Sequence, residues 1–306
     1  MASSCVSAAT KPALSRLGTV YVSKNRSIFA NLAFEQWALQ HHDLEKQGDA
    51  LIVWSNDPAV VVGRHQNAWL EANVPFLDEN GIALARRFSG GGTVYHDRGN
   101  LNISLLTTHK NHCRPRNLRR FAESLNRHFG VNIVPNERDD MILQPRDRKI
   151  SGTAARVSRG RAYHHFTLLV DTDLPFLKKT LKSPWTERIQ TNATRSVPAK
   201  AVGCLAEEVV GVSVEEVRNV VLDAFRSSCE KSSLIQTEDQ TRIAEELEKN
   251  EAELRSWDWI FGKTPKFTVT LKDGRTAQVE KGVITAVNGE SSGNIIGSRF
   301  DYELFM

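Results

Sequence analysis

The sequence predicts an α+β fold: a mixed-sheet domain up to about residue 230, with a small domain after it. Three observations carry this. Short β-branched runs such as Ala50–Trp54 and Ala59–Val62 are bounded by turn residues. Helically spaced segments lie among them without a strict βαβα rhythm. The stretch Ser227–Gln240 is polar and rich in Ser, Lys and Glu, as a linker would be.

The elements follow in order. Ile28, Phe29, Leu32, Ala33 and Trp37 have helical spacing over 27–40. Ala50–Trp54 and Ala59–Val62 read as buried strands, with Pro58 between them. A helix over 74–80 ends at Gly81, and Ile82–Ala85 is a strand. Leu101, Ile103 and Leu105 alternate with Asn102 and Ser104, the pattern of a half-buried strand. Leu118, Phe121, Leu125 and Phe129 mark a helix closed by Gly130. Met141–Leu143, Ile150–Val157 and Tyr163–Val170 have strand character. Ser213 and Glu216 form a capping box before a helix with Val217, Val220, Val221 and Phe225 on one face. Ile243, Leu247, Leu254 and Trp257 give another helix, followed by a hairpin turning at Asp273–Gly274.

A length of 306 residues suits one large domain or a large and a small one. The net charge of +4 is too modest for a protein living on nucleic-acid phosphates. The four cysteines have no CxxC spacing, so neither a zinc site nor a disulfide framework is expected. No apolar run reaches the roughly 18 residues of a membrane span. No Asp or Glu precedes Glu35, while Lys11, Arg16, Lys24 and Arg26 do, among many Ser and Ala. That composition suits a mitochondrial transit segment over residues 1–18, or a plain basic tail.

Arg86-Arg87-Phe88-Ser89-Gly90-Gly91-Gly92-Thr93-Val94-Tyr95-His96-Asp97 is the most informative stretch. Three glycines are costly in regular structure and useful where backbone approaches a ligand closely. The adjoining arginines suit an anion. The spacing is neither a P-loop nor GxGxxG opening a helix, and locally a bare glycine turn remains equally open. Lys149 precedes a run of small residues, Ser151-Gly152-Thr153-Ala154, where its ammonium could meet a phosphate or an oxyanion, or sit on a solvated strand end. His164 and His165 are adjacent on a strand and point to opposite faces, one expected inside and one outward. Arg114, Arg116, Arg119 and Arg120 suit a solvated face or a docking patch for an acidic protein.

Together these stretches resemble the lipoate–protein ligase and lipoyltransferase family. Val62-Gly-Arg-His-Gln-Asn-Ala-Trp69 is similar to its GRxQNxW segment. Arg86–Asp97 with Gly99-Asn100 is similar to RRxSGGGxVxHDxGN, Lys149–Ala154 to K-[IV]-S-G-[ST]-A, and His164–Leu169 to HHxTLL. Trp257–Phe267 resembles the start of the family's C-terminal accessory domain. The transit-like leader, the Gly-Thr-Ala after Ser151 and Leu181-Lys-Ser-Pro184 look more like animal mitochondrial lipoyltransferases than bacterial ligases.

The resemblance implies a catalytic domain of the biotin/lipoate ligase type over 19–230 and an accessory domain over 237–306. It implies lipoyl-AMP as bound substrate and transfer of its lipoyl group to one lysine of a carrier, as an amide. The implied carriers are lipoyl domains of 2-oxoacid dehydrogenase acyltransferase subunits and the glycine cleavage H protein, which is also a possible lipoyl donor. Lys149 corresponds to the family's catalytic lysine. The implied substrate shell is Arg86, Arg87, Ser89, Gly90, Gly91, Gly92, Tyr95, Arg138, Lys149, Thr167, Asn192, Thr194 and Ser196. No resident metal is expected. ATP and Mg²⁺ enter only if the chain is a complete lipoate ligase. A more distant alternative is a non-catalytic carrier- or RNA-binding protein. The expected setting is the mitochondrial matrix, for a monomer with neither nucleic acid nor membrane as partner.

Overall fold

The computed structural model describes residues 15–197, 201–237, 243–288 and 295–302. Its main sheet has six strands in the order Thr153–Ser158, Arg161–Leu169, Asn100–Thr108, Asp49–Trp54, Ser15–Val22, Cys229–Gln236. The first four pair antiparallel. Ser15–Val22 runs parallel to both of its neighbours, which makes the sheet mixed as expected.

One face of this sheet carries helices Arg114–Phe129 and Val214–Arg226. Leu118, Phe121, Leu125, Val217, Val221 and Phe225 pack there on Val20, Leu51, Leu101 and Ile103. The helix ends behave as their residues dictate. Gly130 takes φ +66° at the end of the first helix, and Ser213 Oγ accepts from Glu216 N at 3.1 Å at the start of the second.

The other face carries helix Ile28–His41. Phe34, Ala38 and Leu39 pack on the main sheet, while Ile28, Leu32 and Ala33 meet a second, three-stranded sheet. That sheet runs Ala83–Arg86, Ala59–Val62, Val94–His96. The helix is therefore buried nearly all round, including Asn31, Glu35 and Gln36. Coverage on both sides also changes two expectations. Asn100–Thr108 is buried on both faces rather than half-buried. His164 and His165 still point to opposite faces, but both are buried, at 0% and 5% exposure. His164 lies between Asn117 and Thr153 Oγ1, and His165 Nδ1 is 2.9 Å from Glu35 Oε1.

The C-terminal part is interlaced with the rest. Within the polar stretch expected as a linker, Cys229–Gln236 is an edge strand of the main sheet, so the boundary expected near 230 falls inside a strand. Residues 238–240 of that stretch lie outside the described residues, as do 1–14 of the expected leader. Residues 15–18 belong to the first strand. The expected hairpin is present as Phe267–Thr270 and Thr276–Glu280, with Gly274 at φ +85°. Its sheet is completed by Val283–Asn288 on one side and by Ile189–Thr191, from before 230, on the other. Of the segment expected as the accessory domain, 289–294 and 303–306 also lie outside the described residues. Among the described residues no helix is long and apolar enough to cross a membrane.

Arg86 fastens this arrangement. Its side chain is fully buried. Nε donates to the carbonyls of Trp259 and Ile260, Nη1 to those of Gly63, Arg64 and Gln66, and Nη2 to Thr264 Oγ1. Trp259 Nε1 donates back to Arg86 O at 2.8 Å. Every nitrogen of the guanidinium is engaged by protein, which leaves it badly placed for the substrate contact expected of it.

Two outcomes follow from this packing. Arg86→Met strips donors from five carbonyls, four of them in buried bonds, and should lower stability by at least about 3 kcal/mol. Arg86→Lys, lacking the planar fork, should recover less than half. Urea unfolding measures both, and an unchanged midpoint in Arg86→Met contradicts the assignment. The second outcome concerns pH. Burial, first among the causes, holds His96 and His164 well below the ordinary 6.5, so both stay neutral in the folded chain. Below that value the unfolded chain binds protons the native state does not. Stability should therefore fall as pH drops from 6.5, by about 1.4 kcal/mol per pH unit for each of these rings. Urea midpoints between pH 7 and 5 test the sign, and a flat profile would count against it.

Candidate active site

The glycine loop joins Ala83–Arg86 to Val94–His96, the two outer strands of the small sheet. Arg87 follows Arg86 in extended chain, so its side chain leaves on the opposite side. Its guanidinium donates to Val61 O at 3.0 Å, to Gly90 O at 2.7 Å and to Gly92 O at 2.7 Å. The loop thus wraps around a cation with its carbonyls turned inward. Burial lowers Arg87 to about 10, still charged at neutral pH. Among the described residues, the N–H groups of Gly90, Gly91 and Gly92 have no acceptor. Successive free N–H groups of this kind form a concavity suited to anionic oxygen.

Two glycines here are sterically required. A Cβ on Gly63 would stand 2.1 Å from Gly91 O. Gly91 itself has φ +92°, and a Cβ there would stand 3.0 Å from Arg87 Nη2. Gln66 clamps the neighbouring segments: its Oε1 accepts from Gly63 N and Thr93 Oγ1, each at 2.8 Å, and its Nε2 donates to Ser196 Oγ at 3.0 Å. Ser196 Oγ also accepts from Thr93 N at 2.8 Å, which lays residues 192–197 along the loop. Glu71, buried, holds the same segment through Arg195 Nε at 2.6 Å and Ser196 N at 3.1 Å.

Beside the loop lies a narrow cavity of about 20 Å³. Its walls include Leu32, Val61, Val94, Ala154, Thr167 and His165. Gly152 N donates to Thr167 Oγ1 at 2.8 Å, and Gly152 O accepts from Thr167 N, so this wall is pinned across two strands. Lys149 is three residues from Gly152, about 10 Å along extended chain. Its ammonium, about a quarter exposed, is 2.8 Å from Oδ1 of the buried Asp140. Its own main chain is held by Ala201 O and Gly203 N. Arg138 is exposed, two residues before Asp140 in the turn that follows Asn136.

The structure thus brings Arg87, Gly90–Gly92, Thr167 and Ser196 around one loop and cavity, with Lys149 and Arg138 at the Asp140 corner. Ser89 is buried in the same loop. Asn192 and Thr194 are exposed on the segment that crosses it. Tyr95 does not line the cavity. It lies between Val94 and His96, which line the cavity, so its ring faces the opposite side and packs with Phe176 at 5.8 Å. The sequence reading missed Asp140, Gln66, Glu71 and His96. Gln66 and His96 stood inside quoted motifs, whereas nothing local marks a lone Asp or Glu as a partner.

Comparison with known proteins accords with this geometry. Residues 27–226 match the family described as "Lipoyl protein ligase A/B catalytic domain". The chain is 41% identical over 256 residues to the mitochondrial lipoyl amidotransferase LIPT1 of Homo sapiens, covering 82% of this chain and 67% of that protein. Among solved structures it resembles LipL1 of P. falciparum in complex with lipoate, at 26% identity and TM-score 0.70, over 89% of this chain and 84% of that one. It also resembles a lipoate-protein ligase A bound with ATP, at 25% identity and TM-score 0.62, over 78% and 98%. The chain therefore belongs to the lipoyl protein ligase A/B catalytic domain family.

Proposed function

We propose that this chain transfers a lipoyl group from lipoyl-AMP to one lysine of a carrier domain, forming an amide. The observation that carries this reading is the glycine loop. Carbonyls of the loop are tied to Arg87 and the N–H groups of Gly90–Gly92 have no acceptor among the described residues, beside an apolar cavity, with an ammonium, Lys149, at the far end of the adjoining segment.

The chemistry maps onto these groups. The acyl tail takes the cavity, which must widen from its present volume to admit it. The free N–H groups of Gly90–Gly92 meet the acyl carboxyl oxygen. Lys149 and Arg138 face the phosphate. The carrier lysine, as free amine, attacks the acyl carbon. A C–N bond forms, the C–O bond to phosphate breaks, AMP departs, and the amine's extra proton leaves to solvent. Negative charge builds on the carbonyl oxygen and then on the phosphate, and the Lys149 ammonium stabilises both. Asp140 holds that ammonium in position until an anion competes for it. Arg87 acts through the loop. Arg86 and Tyr95 fall outside the substrate shell in this reading, while Ser89, Asn192, Thr194, Thr167 and Ser196 remain in or beside it.

On the same reading the carriers are lipoyl domains of 2-oxoacid dehydrogenase acyltransferase subunits or the glycine cleavage H protein. The place of action is the mitochondrial matrix, which the basic leader composition and the mitochondrial relative support.

The test is mass spectrometry of an apo carrier domain after incubation with lipoyl-AMP. Lys149→Ala should reduce transfer by about 10²–10³-fold, the scale of losing one transition-state donor. Its urea midpoint should fall, since the buried Asp140 loses its partner, so transfer is compared under conditions where both proteins are folded. Undiminished transfer by Lys149→Ala overturns the role given to that residue. A parallel arm with lipoate, ATP and Mg²⁺ replaces lipoyl-AMP, and equally fast transfer there makes the chain a complete ligase.

A further inference from the structure

One polar atom in the cavity wall has no partner. His96 is buried, at 1% exposure, and lines the cavity. Its Nε2 makes no hydrogen bond among the described residues.

A chain of side chains fixes which proton this ring carries. Asn31 Nδ2 donates to the main-chain carbonyl of Asn25 at 2.9 Å, which only the nitrogen end of an amide can do. The same nitrogen donates to Asn56 Oδ1 at 2.8 Å. Asn56 therefore turns its own Nδ2 toward His96 Nδ1, 3.0 Å away. An amide NH₂ only donates, so Nδ1 must accept, and the neutral ring carries its proton at Nε2. The orientation is anchored on a carbonyl that cannot be flipped. The cavity wall thus contains a buried N–H donor of fixed identity.

Its depth is set by strand register. Val94 pairs with Val61 and His96 with Ala59. The glycine run ends at Gly92, so His96 lies two residues, about 7 Å, beyond Val94 along the strand and four residues beyond the run. If the loop takes the carboxyl end of an acyl chain, His96 meets the distal part. The cavity of about 20 Å³ has room for roughly one water, which can satisfy Nε2–H in the free protein. An alkyl tail displaces that water and offers no acceptor, which leaves the donor unpaired. A thioether-like sulfur offers soft lone pairs and accepts weakly.

We propose that His96 Nε2–H selects acyl groups ending in a sulfur-bearing ring over plain alkyl chains of equal length, by donating to a ring sulfur. The proposal rests on the acyl-transfer reading above and adds a specificity-determining residue to it.

The experiment compares kcat/KM for transfer to an apo carrier domain from lipoyl-AMP and from octanoyl-AMP, using the full chain. His96→Leu should lower the lipoyl-to-octanoyl ratio at least about five-fold, the worth of one neutral hydrogen bond. His96→Gln, whose amide nitrogen can present a donor in the same place, should keep the ratio near wild type. Asn56→Asp keeps the acceptor for Asn31 but sets a carboxylate against Nδ1. The proton is drawn to that side, and the ratio should fall as in His96→Leu. A ratio unmoved in His96→Leu overturns the proposal. Where that variant does not fold, an unmoved ratio in Asn56→Asp overturns it. Wild-type protein that transfers neither group defeats the acyl-transfer reading itself. Transfer of both, with a ratio indifferent to these variants, defeats only the role of His96.

Discussion

Two adjacent arginines are buried at the end of one short strand, and their guanidinium groups are held mainly by main-chain carbonyls. Burying a cation is costly unless its donors are satisfied, and here the carbonyl dipoles supply that satisfaction. Both groups feel the cost. Burial lowers Arg86 to about 9 and Arg87 to about 10, and both remain charged at neutral pH. Because neighbours in extended chain project to opposite sides, one arginine organises the C-terminal segment and the other the glycine loop. A lysine could do neither, since one ammonium has no planar fork to reach several carbonyls at fixed angles.

The loop's chemistry is a consequence of that cation. Carbonyls drawn inward to Arg87 leave the peptide N–H groups of Gly90–Gly92 without acceptors among the described residues. The glycines permit this wrapping. At Gly91 a side chain would meet Arg87 itself, and at Gly63 it would meet the loop's backbone. Gln66 and Ser196 then fix the loop from outside, on segments more than a hundred residues apart. On the proposed reading, main-chain N–H groups rather than loop side chains meet the acyl carboxyl oxygen. Main-chain groups of this kind are hard to infer from residue types, whereas the arginines stand out in the sequence by their charge.

Much of the framework was legible because hydrophobic period survives in the chain. The helices with Leu118, Phe121 and Leu125, and with Val217, Val221 and Phe225, bury the faces their spacing marks. Legibility failed where a second layer covers a polar face. Asn102 and Ser104 alternate with Leu101 and Ile103 as if exposed, yet they are buried beneath the helix Ile28–His41. It failed again at Cys229–Gln236, a polar edge strand whose composition suits an open face as well as it suits a linker. Within the site, Tyr95 stands one residue from the cavity-lining Val94 and His96 and so on the other face, and Asp140 was invisible because it meets Lys149 only through a hairpin.

The central helix shows why polar residues are tolerated in so buried a place. Asn31 and Glu35 are four residues apart and share one face. Asn31 acts through Asn56 on Nδ1 of His96, and Glu35 accepts directly from Nδ1 of His165. The two cavity histidines therefore meet partners of opposite character, an amide donor and a carboxylate acceptor. Leu32, between them on the same helix, contributes apolar surface to the same cavity. Glu35 also supports the charge of Arg87, whose guanidinium shapes the loop. One helix thus contributes to the cavity's wall, the proton positions in that wall and part of the electrostatic support for the Arg87-centred loop. Replacing these buried polar groups with apolar ones of similar size would keep the packing and lose that specification, so their burial is better explained by the site than by the stability of the fold.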